Sequence, residues 1–446
     1  MARPRLSAAH VAVVIYAIVT AVFLATSARA TLTYHTPYNH FALLAEAWIH
    51  GRLDLGGPPP AYTGGNDFAI FDGRTYVSFP PFPAVLIAPM VALAGSAERV
   101  ADGRFFLWFA GIGPAVLYLA LDKLTTIGRS RRDGRENIAL AVLFAFGTVY
   151  WFSAVQGTVW FAAHVVGVAL AAIYLYASID AAHPVTAGLA IALGFATRTP
   201  IGFAFPLFLA EAARVATSPA RALDRRAGAH RAFDLRALDR RAIALTLARF
   251  AAPIAVILAL LALHNRARFG EALEFGHRFL AIGWRGRIDR WGLFSYHYLG
   301  RNLAVVLTSL PYTQVPGVPF QINAHGLALW VTSPFLAWAF WPSPLMRRAR
   351  RLFYWALLAT ALAVAAPSLL YQNSGWIQFG YRFSNDFSLF VVVMIAVGRR
   401  KLGPVFWALG AVAILVNGFG AVSFQREGFD RFYFLERTQR VLHQPD

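Results

Sequence analysis

The sequence predicts an all-α polytopic membrane protein of about eleven transmembrane helices. Hydrophobic residues make up 58% of the 446 residues and charged residues only 14%, whereas a soluble domain usually carries about 25% charged residues. Several apolar runs approach the roughly 20 residues that a helix needs to cross a bilayer. The basic residues fall in short stretches between these runs. A chain with this many apolar runs cannot bury them all in one soluble core.

The spans follow one another in a single transmembrane domain, 1–446. The first is expected near 8–28 and is longer than a signal-peptide core, so we expect a retained helix. The others are predicted near 104–122, 137–153, 158–176, 184–196, 200–213, 249–264, 324–341, 353–371, 385–398 and 403–422. Residues 80–95 are apolar too, but they number only 16 and include four prolines. This segment is expected to be interfacial or re-entrant.

The positive-inside rule orients the chain with its N-terminus in the cytoplasm. More than half of the 41 Lys and Arg residues lie before the first span or in the connections 123–136, 214–249, 347–351 and 399–401. The first outer loop is then 29–103, the second is 265–323, and the segment 423–446 lies outside. The net charge of +19 follows from this topology, so nucleic acid is not expected as a partner.

An amphipathic helix is predicted at the start of the first outer loop. Thr36 is suited to cap it and Gly51 to end it. Its apolar face is expected to lie in the membrane interface. Asn39, Glu46 and His50 lie on the opposite, polar face.

A β-hairpin is predicted further along the same loop. Asp72 and Gly73 form a turn dipeptide between two short runs of alternating apolar residues. Asp72 is therefore assigned to the turn. Asp67 lies outside the dipeptide, which leaves its carboxylate freer to act.

The layout resembles that of the C-type (GT-C) membrane glycosyltransferases, which include the protein O-mannosyltransferases and the lipid A aminoarabinose transferases. The resemblance covers most of the chain and rests on short motifs. They are a loop helix of the form Ala-x-x-x-x-x-Gly at 45–51, an aromatic-Pro-Pro segment at 79–81, Gly-Phe-Ala-Thr-Arg-Thr-Pro at 194–200, and the stretches 268–276 and 380–387.

The resemblance implies an inverting transfer of sugar from a polyprenyl-phosphate donor to a hydroxyl on a glycan, lipid or protein acceptor. The active site would face the periplasm or exterior of a bacterial inner membrane. A carboxylate in the first outer loop would deprotonate the acceptor, and cationic groups would stabilise the departing phosphate. The chain has no Gly-rich phosphate loop, which argues against a nucleotide-sugar donor.

The choice of base is open because the family usually has Asp just before the amphipathic helix. This sequence has Asn39 there, and an amide cannot act as a base. Asp67 is the first candidate, Glu46 the second and Asp54 the third. His40 is a further candidate.

Candidate residues for the donor phosphate are Arg198, Arg382, His164 and Arg301. An arginine near the membrane interior is costly unless it is solvated or paired, so Arg198 is expected to have a function. Candidate residues for substrate binding are Asn39, His40, Gln156, Trp160, His297 and Tyr381. The aromatic and basic residues of the second outer loop could bind sugar and phosphate. An ordinary interfacial belt explains the same composition equally well.

Two other functions remain open from the sequence: a transporter or lipid flippase, and a noncatalytic assembly protein. Transporters usually carry ionisable groups within their spans and an internal repeat of helices. The predicted spans hold almost no acidic residues, and no long repeat is present. No spacing of residues identifies a metal site, and a divalent metal stays open as a cofactor.

Overall fold

The computed structural model describes residues 7–217, 240–313 and 316–434, and these residues are mostly helical. Most of the predicted basic loop 214–249 and the end of the predicted tail 423–446 lie outside the described residues. The helices are α1 (Ala8–Thr26), α2 (Arg29–Thr33), α3 (His40–Ile49), α4 (Phe82–Ala94), α5 (Asp102–Leu107), α6 (Ile112–Thr126), α7 (Gly134–Phe146), α8 (Tyr150–Ala154), α9 (Val159–Ser178), α10 (Pro184–Phe195), α11 (Pro206–Ala216), α12 (Arg240–Phe269), α13 (Arg285–Trp291), α14 (Leu299–Thr308), α15 (Leu329–Thr332), α16 (Arg348–Leu370), α17 (Ser388–Val397) and α18 (Pro404–Ser423).

Six helical stretches in the described residues are long and apolar enough to cross a membrane. They are Ala8–Thr26, Asp102–Thr126, Val159–Ala181, Arg240–Phe269, Arg350–Leu370 and Pro404–Ser423. Several other predicted spans are short helices, among them α10 and α17. The polytopic helical class is therefore confirmed, while the count of eleven spans and the orientation stay predictions.

The prediction of one continuous helix over 324–341 is wrong. The described chain there has the one-turn helix α15 and then the 3-10 helix Pro334–Phe340. Pro334 lacks the backbone N–H that an α-helix would need to continue, which accounts for the break.

Helices α9 and α17 form the centre of the bundle. Sixteen of the twenty residues of α9 are buried, and so are all ten residues of α17. A helix that is apolar on every side is typical of a buried core or of a membrane span.

Hydrogen bonds gather one set of helix ends at the same end of the bundle. Arg129, after α6, contacts Glu211 of α11 and Asp180 after α9. Arg350 of α16 donates to the Gly128 carbonyl, and Arg132 donates to the Ile395 carbonyl of α17. These are the connections that the charge distribution predicts to be cytoplasmic.

Two small two-stranded sheets accompany the helices, and the first of them is the predicted hairpin. Strands β1 (Phe68–Phe71) and β2 (Arg74–Val77) pair antiparallel, with Phe68 opposite Val77. The predicted hairpin is confirmed, and Asp72 and Gly73 both have positive φ at its turn. Strands β3 (Ile322–Asn323) and β4 (Tyr433–Phe434) form a short parallel pair.

The predicted amphipathic helix is α3, but its start and surroundings differ from the prediction. It begins at His40 with Asn39 in the cap position, while the backbone N–H and hydroxyl of Thr36 donate to the buried Asp102 carboxylate, at 2.7 and 2.8 Å. Seven of its ten residues are buried, and Asn39 is buried as well. On the polar face, Glu46 is half-buried and His50 is exposed, and the helix packs against α4. The apolar segment 80–95 contains the short helix α4, whose 13 residues are too few for a span.

The packing of α10 against α12 generates the first prediction. A Cβ atom added at Gly188 would lie 2.0 Å from the Phe250 carbonyl oxygen and 2.9 Å from Cγ of Pro253. Close approach of two membrane helices requires small residues at such points. We expect Gly188→Ala to destabilise the protein by about 1–3 kcal/mol, seen as a lower melting temperature of the detergent-purified protein.

Gly300→Ala is the matched control, because no atom lies within 4 Å of the added methyl group at that helical position. Equal melting temperatures for the two variants would contradict this packing argument.

Candidate functional site

A cavity of about 700 Å³ lies between the two long outer loops and the neighbouring helix ends. The first loop contributes Asp67 and residues 78–80, and the second contributes residues between 273 and 294. The rest of the lining includes residues 195, 197–200, 367–368, 371–373 and 382–383. Both long loops thus contribute to this cavity.

Backbone contacts fasten the hairpin of the first loop to the second loop. The Ala281 N–H donates to the Phe68 carbonyl at 3.1 Å, and Ala69 forms a bridge with Leu280. The buried guanidinium of Arg268, at the end of α12, donates to the Val77 carbonyl at 2.9 Å. Because the hairpin is held at both strands, the residue just before it has a fixed position.

That residue is Asp67, whose carboxylate is buried beside the cavity. The indole N–H of Trp160 donates to its Oδ2 at 2.8 Å. Burial raises the pKa of Asp67, while the hydrogen bond from Trp160 and the charge of Arg382 act to lower it. Asp67 has a φ of +61°, a conformation that Asp adopts more readily than most residues. The site therefore holds a carboxylate whose ionisation depends on two specific neighbours.

A second carboxylate, Asp386, lies behind the cavity. The Arg198 guanidinium donates to both its oxygens, with Nη2–Oδ2 at 2.6 Å and Nε–Oδ1 at 3.2 Å. Nδ1 of His164 lies 3.1 Å from the same Oδ1. Asp386 and His164 are almost fully buried, whereas Arg198 reaches the cavity. Asp386 thus orients Arg198 and balances its charge.

Arg382 is the second arginine of the cavity, and backbone carbonyls hold it. Its Nη1 donates to the carbonyls of Gly375 and Trp376. The guanidinium lies over the rings of Phe161 and Phe383, at 5.2 and 5.5 Å. Burial and the nearby Arg198 lower the pKa of Arg382 to about 9. Its Nε is buried and has no hydrogen-bond partner in the described residues.

Four residues predicted for the site therefore do lie together. Asp67, Trp160, Arg198 and Arg382 line the cavity. His164, predicted to bind phosphate, does not line the cavity. It contacts the site through Asp386, so its role is positional.

The other two candidate carboxylates lie elsewhere in the first loop. Oε2 of Glu46 accepts from the Ala97 N–H at 3.3 Å. Oδ1 of Asp54 accepts from the Gly56 N–H at 2.7 Å, and its Oδ2 lies 3.7 Å from Arg74. Both carboxylates bind backbone N–H groups of their own loop, and neither lines the cavity.

Asn39 and His40 have structural contacts as well. Asn39 accepts from the Tyr62 hydroxyl at 3.1 Å. His40 contacts the Asn66 carbonyl at 2.9 Å through Nε2 and stacks on Phe68 at 4.3 Å. Burial lowers the pKa of His40 to about 4. Neither residue lines the cavity.

The remaining candidates also lie away from the cavity lining. Arg301 donates to the Gln372 carbonyl at 2.6 Å, and His297 stacks on Trp291 at 4.0 Å. Gln156 and Tyr381 are buried in the bundle. The sequence does not distinguish such contacts within the protein from contacts with a ligand.

The sequence analysis missed several residues of the site. Asp386 is in the stretch 380–387, and an acidic residue beside an apolar span is a signal that could have identified it. Glu274 is buried at the cavity and pairs with Arg278 at 2.7 Å. Tyr371 also lines the cavity, and burial together with the charge of Asp67 raises its pKa to about 12.

No group of three or more His, Asp or Glu side chains that could hold a metal ion occurs in the part of the chain that the structure describes. The question of a divalent metal is therefore one for experiment.

The Asp386–Arg198 pair generates the second prediction. Asp386→Asn leaves the Arg198 charge without its partner, and loss of one member of a buried pair is strongly destabilising. We expect a loss of stability of about 3 kcal/mol, measured as a fall in the melting temperature. Asp289→Asn is the control, since Asp289 forms an exposed pair with Arg285. A similar small change in both variants would show that the buried pair adds no stability.

No protein-family model and no curated protein matches this chain. Several solved structures match it in fold. ArnT from Cupriavidus metallidurans bound to undecaprenyl phosphate matches with a TM-score of 0.50 and 14% identity, over 90% of this chain and 62% of that one. The Archaeoglobus fulgidus oligosaccharyltransferase tethered with an acceptor peptide matches with a TM-score of 0.51 and 15% identity, over 92% of this chain and 55% of that one.

This chain thus spans less than two thirds of the length of either solved structure. At such low identity the likeness concerns the fold. The resemblance that the sequence motifs predict is confirmed at this level: the chain has the fold of the GT-C membrane glycosyltransferases.

Proposed function

We propose that this protein is an inverting glycosyltransferase of the outer face of a bacterial inner membrane. It takes a sugar from a polyprenyl-phosphate donor and passes it to a hydroxyl acceptor. The observation that carries the proposal is the cavity in which the Asp67 carboxylate and two arginines, Arg198 and Arg382, occur together. The fold it shares with ArnT bound to undecaprenyl phosphate supports the proposal.

The two kinds of charge suit the two halves of the reaction. The acceptor oxygen attacks the anomeric carbon as its proton passes to Asp67. The bond between that carbon and the phosphate oxygen breaks, and the lipid phosphate leaves with the electron pair. The arginines stabilise the negative charge that develops on the phosphate. The position of attack opposite the leaving group gives inversion.

Asp67 is suited to the role of base because its environment has two opposing effects. Burial raises its pKa, which makes it a stronger proton acceptor than an exposed aspartate. The indole N–H of Trp160 and the charge of Arg382 keep the ionised form accessible. A general base works best when its pKa is close to the working pH.

The arginines are suited to a phosphate because they are already oriented. Arg198 is held by both oxygens of Asp386, and Arg382 by two carbonyls. Preorganised donors need no rearrangement as charge develops on the leaving group. When Asp67, Asp386 and both arginines are ionised, the net charge of the four groups is zero.

The apolar part of the cavity is suited to a lipid-linked donor. Aromatic side chains at the cavity include Phe79, Phe195, Phe275, Trp284 and Phe294. Such rings can pack on the first isoprene units or on the CH faces of a sugar. A transporter or lipid flippase, the other function considered from the sequence, is not favoured by the structural neighbours, which are glycosyltransferases.

The direct test is transfer from a panel of radiolabelled polyprenyl-phosphate sugars by the purified full-length chain in lipid nanodiscs. We expect at least one donor to be consumed, by transfer or by hydrolysis. Parallel reactions with EDTA, and with Mg²⁺ or Mn²⁺ restored, decide whether a divalent metal takes part. A panel in which no donor is bound or consumed would contradict the proposed function.

The third prediction concerns the base. Asp67→Asn keeps the shape of the side chain and removes its basicity. We expect sugar transfer to fall by about 10²–10⁴-fold while binding of the lipid donor, measured by isothermal titration, stays within a few-fold of wild type. Glu46→Gln and Asp54→Asn are controls, because neither carboxylate lines the cavity. Full activity in Asp67→Asn with loss of activity in Glu46→Gln would move the base to α3.

The fourth prediction concerns the pH dependence of turnover. A base acts in its ionised form, so activity is lost as the pH falls through the pKa of Asp67. Trp160→Phe removes a hydrogen bond that stabilises the carboxylate, which raises the pKa of Asp67 further. The acid limb of the kcat–pH profile should therefore move to higher pH.

Trp284→Phe provides the comparison, because Trp284 lines the same cavity but makes no hydrogen bond to Asp67. Its acid limb should stay where it is in the wild type. A limb that moves equally in both variants would mean that Trp160 does not set the ionisation of the base.

A further inference from the structure

A group of arginines at the end of the bundle opposite the cavity has no part in the proposed reaction. Arg131 is in the connection between α6 and α7, Arg347 and Arg350 are at the start of α16, and Arg399 is in the connection between α17 and α18. The charges of the other three all act on Arg350. These four residues are called the arginine cluster.

The fold assembles the cluster, since its members come from three separate connections. Arg350 donates to the Gly128 carbonyl from both Nε and Nη2, at 3.2 and 2.6 Å. Arg399 donates to the Leu345 carbonyl at 2.6 Å. The Ser343 N–H donates to the Gly398 carbonyl at 2.8 Å. This bond joins the segment before α16 to the connection between α17 and α18. The guanidinium groups of Arg350 and Arg399 are therefore held in place by backbone carbonyls.

The described residues do not balance the charge of the cluster. Among the residues that the structure describes, no carboxylate forms an ion pair with any of the four arginines. A carbonyl oxygen accepts a hydrogen bond but does not neutralise a charge. Four like charges brought together repel one another unless an anion lies among them.

Other arginines at the same end of the bundle provide a contrast. Arg129 and Arg214 each contact both Asp180 and Glu211. Carboxylates are thus available to balance arginines in this region, and the cluster lacks them. This difference within one face points to an external anion.

Exposed apolar side chains lie next to the cluster. The Arg400 guanidinium, one residue after Arg399, lies 3.4 Å from the centre of the Trp341 ring. Trp341 is 60% exposed, Phe340 60% and Leu345 72%. Leu345 supplies the carbonyl that binds Arg399. Aromatic residues beside basic ones are typical of the headgroup level of a membrane.

We propose that the arginine cluster and the adjoining surface of Trp341 and Leu345 bind the headgroup of an anionic phospholipid. A phosphate would lie among the guanidinium groups, and the first carbons of the acyl chains would pack on the exposed apolar side chains. Basic pockets between transmembrane helices recognise anionic headgroups in this way. A soluble anion would leave the apolar half of the surface exposed to water. The site is distinct from the cavity and does not depend on the proposed enzymatic function.

The test is lipid binding to the detergent-released full chain, measured by native mass spectrometry during titration with phosphatidylglycerol or phosphatidylcholine. Wild type should bind phosphatidylglycerol in preference. The double variant Arg131→Gln/Arg347→Gln removes two charges without removing a hydrogen bond that the structure describes. Because each basic residue near a membrane surface adds attraction to anionic lipid, we expect its affinity for phosphatidylglycerol to fall by at least about tenfold. Phosphatidylcholine binding should not change.

Arg135→Gln is the matched control, since Arg135 is exposed in the first turn of α7, close in sequence to Arg131, but is not among the charges that act on Arg350. It should keep wild-type binding. Arg350→Gln/Arg399→Gln, checked for an unchanged melting temperature, should lose at least as much affinity as the first pair. Equal binding of the two lipids by wild type, retained binding in both double variants, or an equal loss in Arg135→Gln would overturn the proposal. Displacement of the bound lipid by an acidic peptide at the same concentration as the lipid would also overturn the proposal.

Discussion

The pairing of Asp386 with Arg198 is the interaction on which the rest of the site depends. An ionised group in an apolar bundle is costly unless a partner compensates it. Here the compensation joins three segments that are far apart in sequence: α9 through His164, the turn at 197–200 through Arg198, and the 3-10 helix Arg382–Asp386. The same 3-10 helix begins with Arg382, whose guanidinium is held separately by the Gly375 and Trp376 carbonyls, so the element that carries the buried carboxylate also carries the second arginine of the cavity. The geometry of the phosphate half of the proposed reaction thus follows from a requirement of stability.

The arginines of the cavity lie close to carboxylates, whereas those of the arginine cluster form no ion pair among the described residues. In the cavity, Arg198 faces Asp386, and Arg382 lies in the field of Asp67. A buried site has to be near neutral before a ligand arrives, since no solvent screens it. The arginine cluster at the other end is nearer to water and headgroups, which screen its repulsion. It can therefore remain unbalanced and be compensated by a mobile anion.

The sequence predicts features that depend on neighbours in the chain and fails where distant contacts decide. The hairpin follows from Asp72 and Gly73, and the long spans follow from apolar composition. The capping tendency of Thr predicts a start of α3 near Thr36, but Asn39 takes the cap position and Thr36 binds the Asp102 carboxylate, 66 residues away. Asp67, Trp160, Arg198 and Arg382 are each predicted from their own chemistry. An acidic residue at an apolar span marks Asp386 as a candidate, but its role does not follow from the sequence, because its partners are 188 and 222 residues distant.

The contacts of His40 give a physical reason for a base on the hairpin. The family resemblance puts an acid just before α3, where this chain has Asn39, buried and bonded to Tyr62. The next residue, His40, binds the Asn66 carbonyl and stacks on Phe68. The residues on either side of Asp67 are thus fastened to the first residue of α3. A carboxylate from the hairpin is thereby brought to the start of that helix, the region that the usual acid would occupy. In the proposed reaction, Asp67 would therefore take the part that the resemblance gives to an acid just before α3, and His40 would hold the segment that carries it.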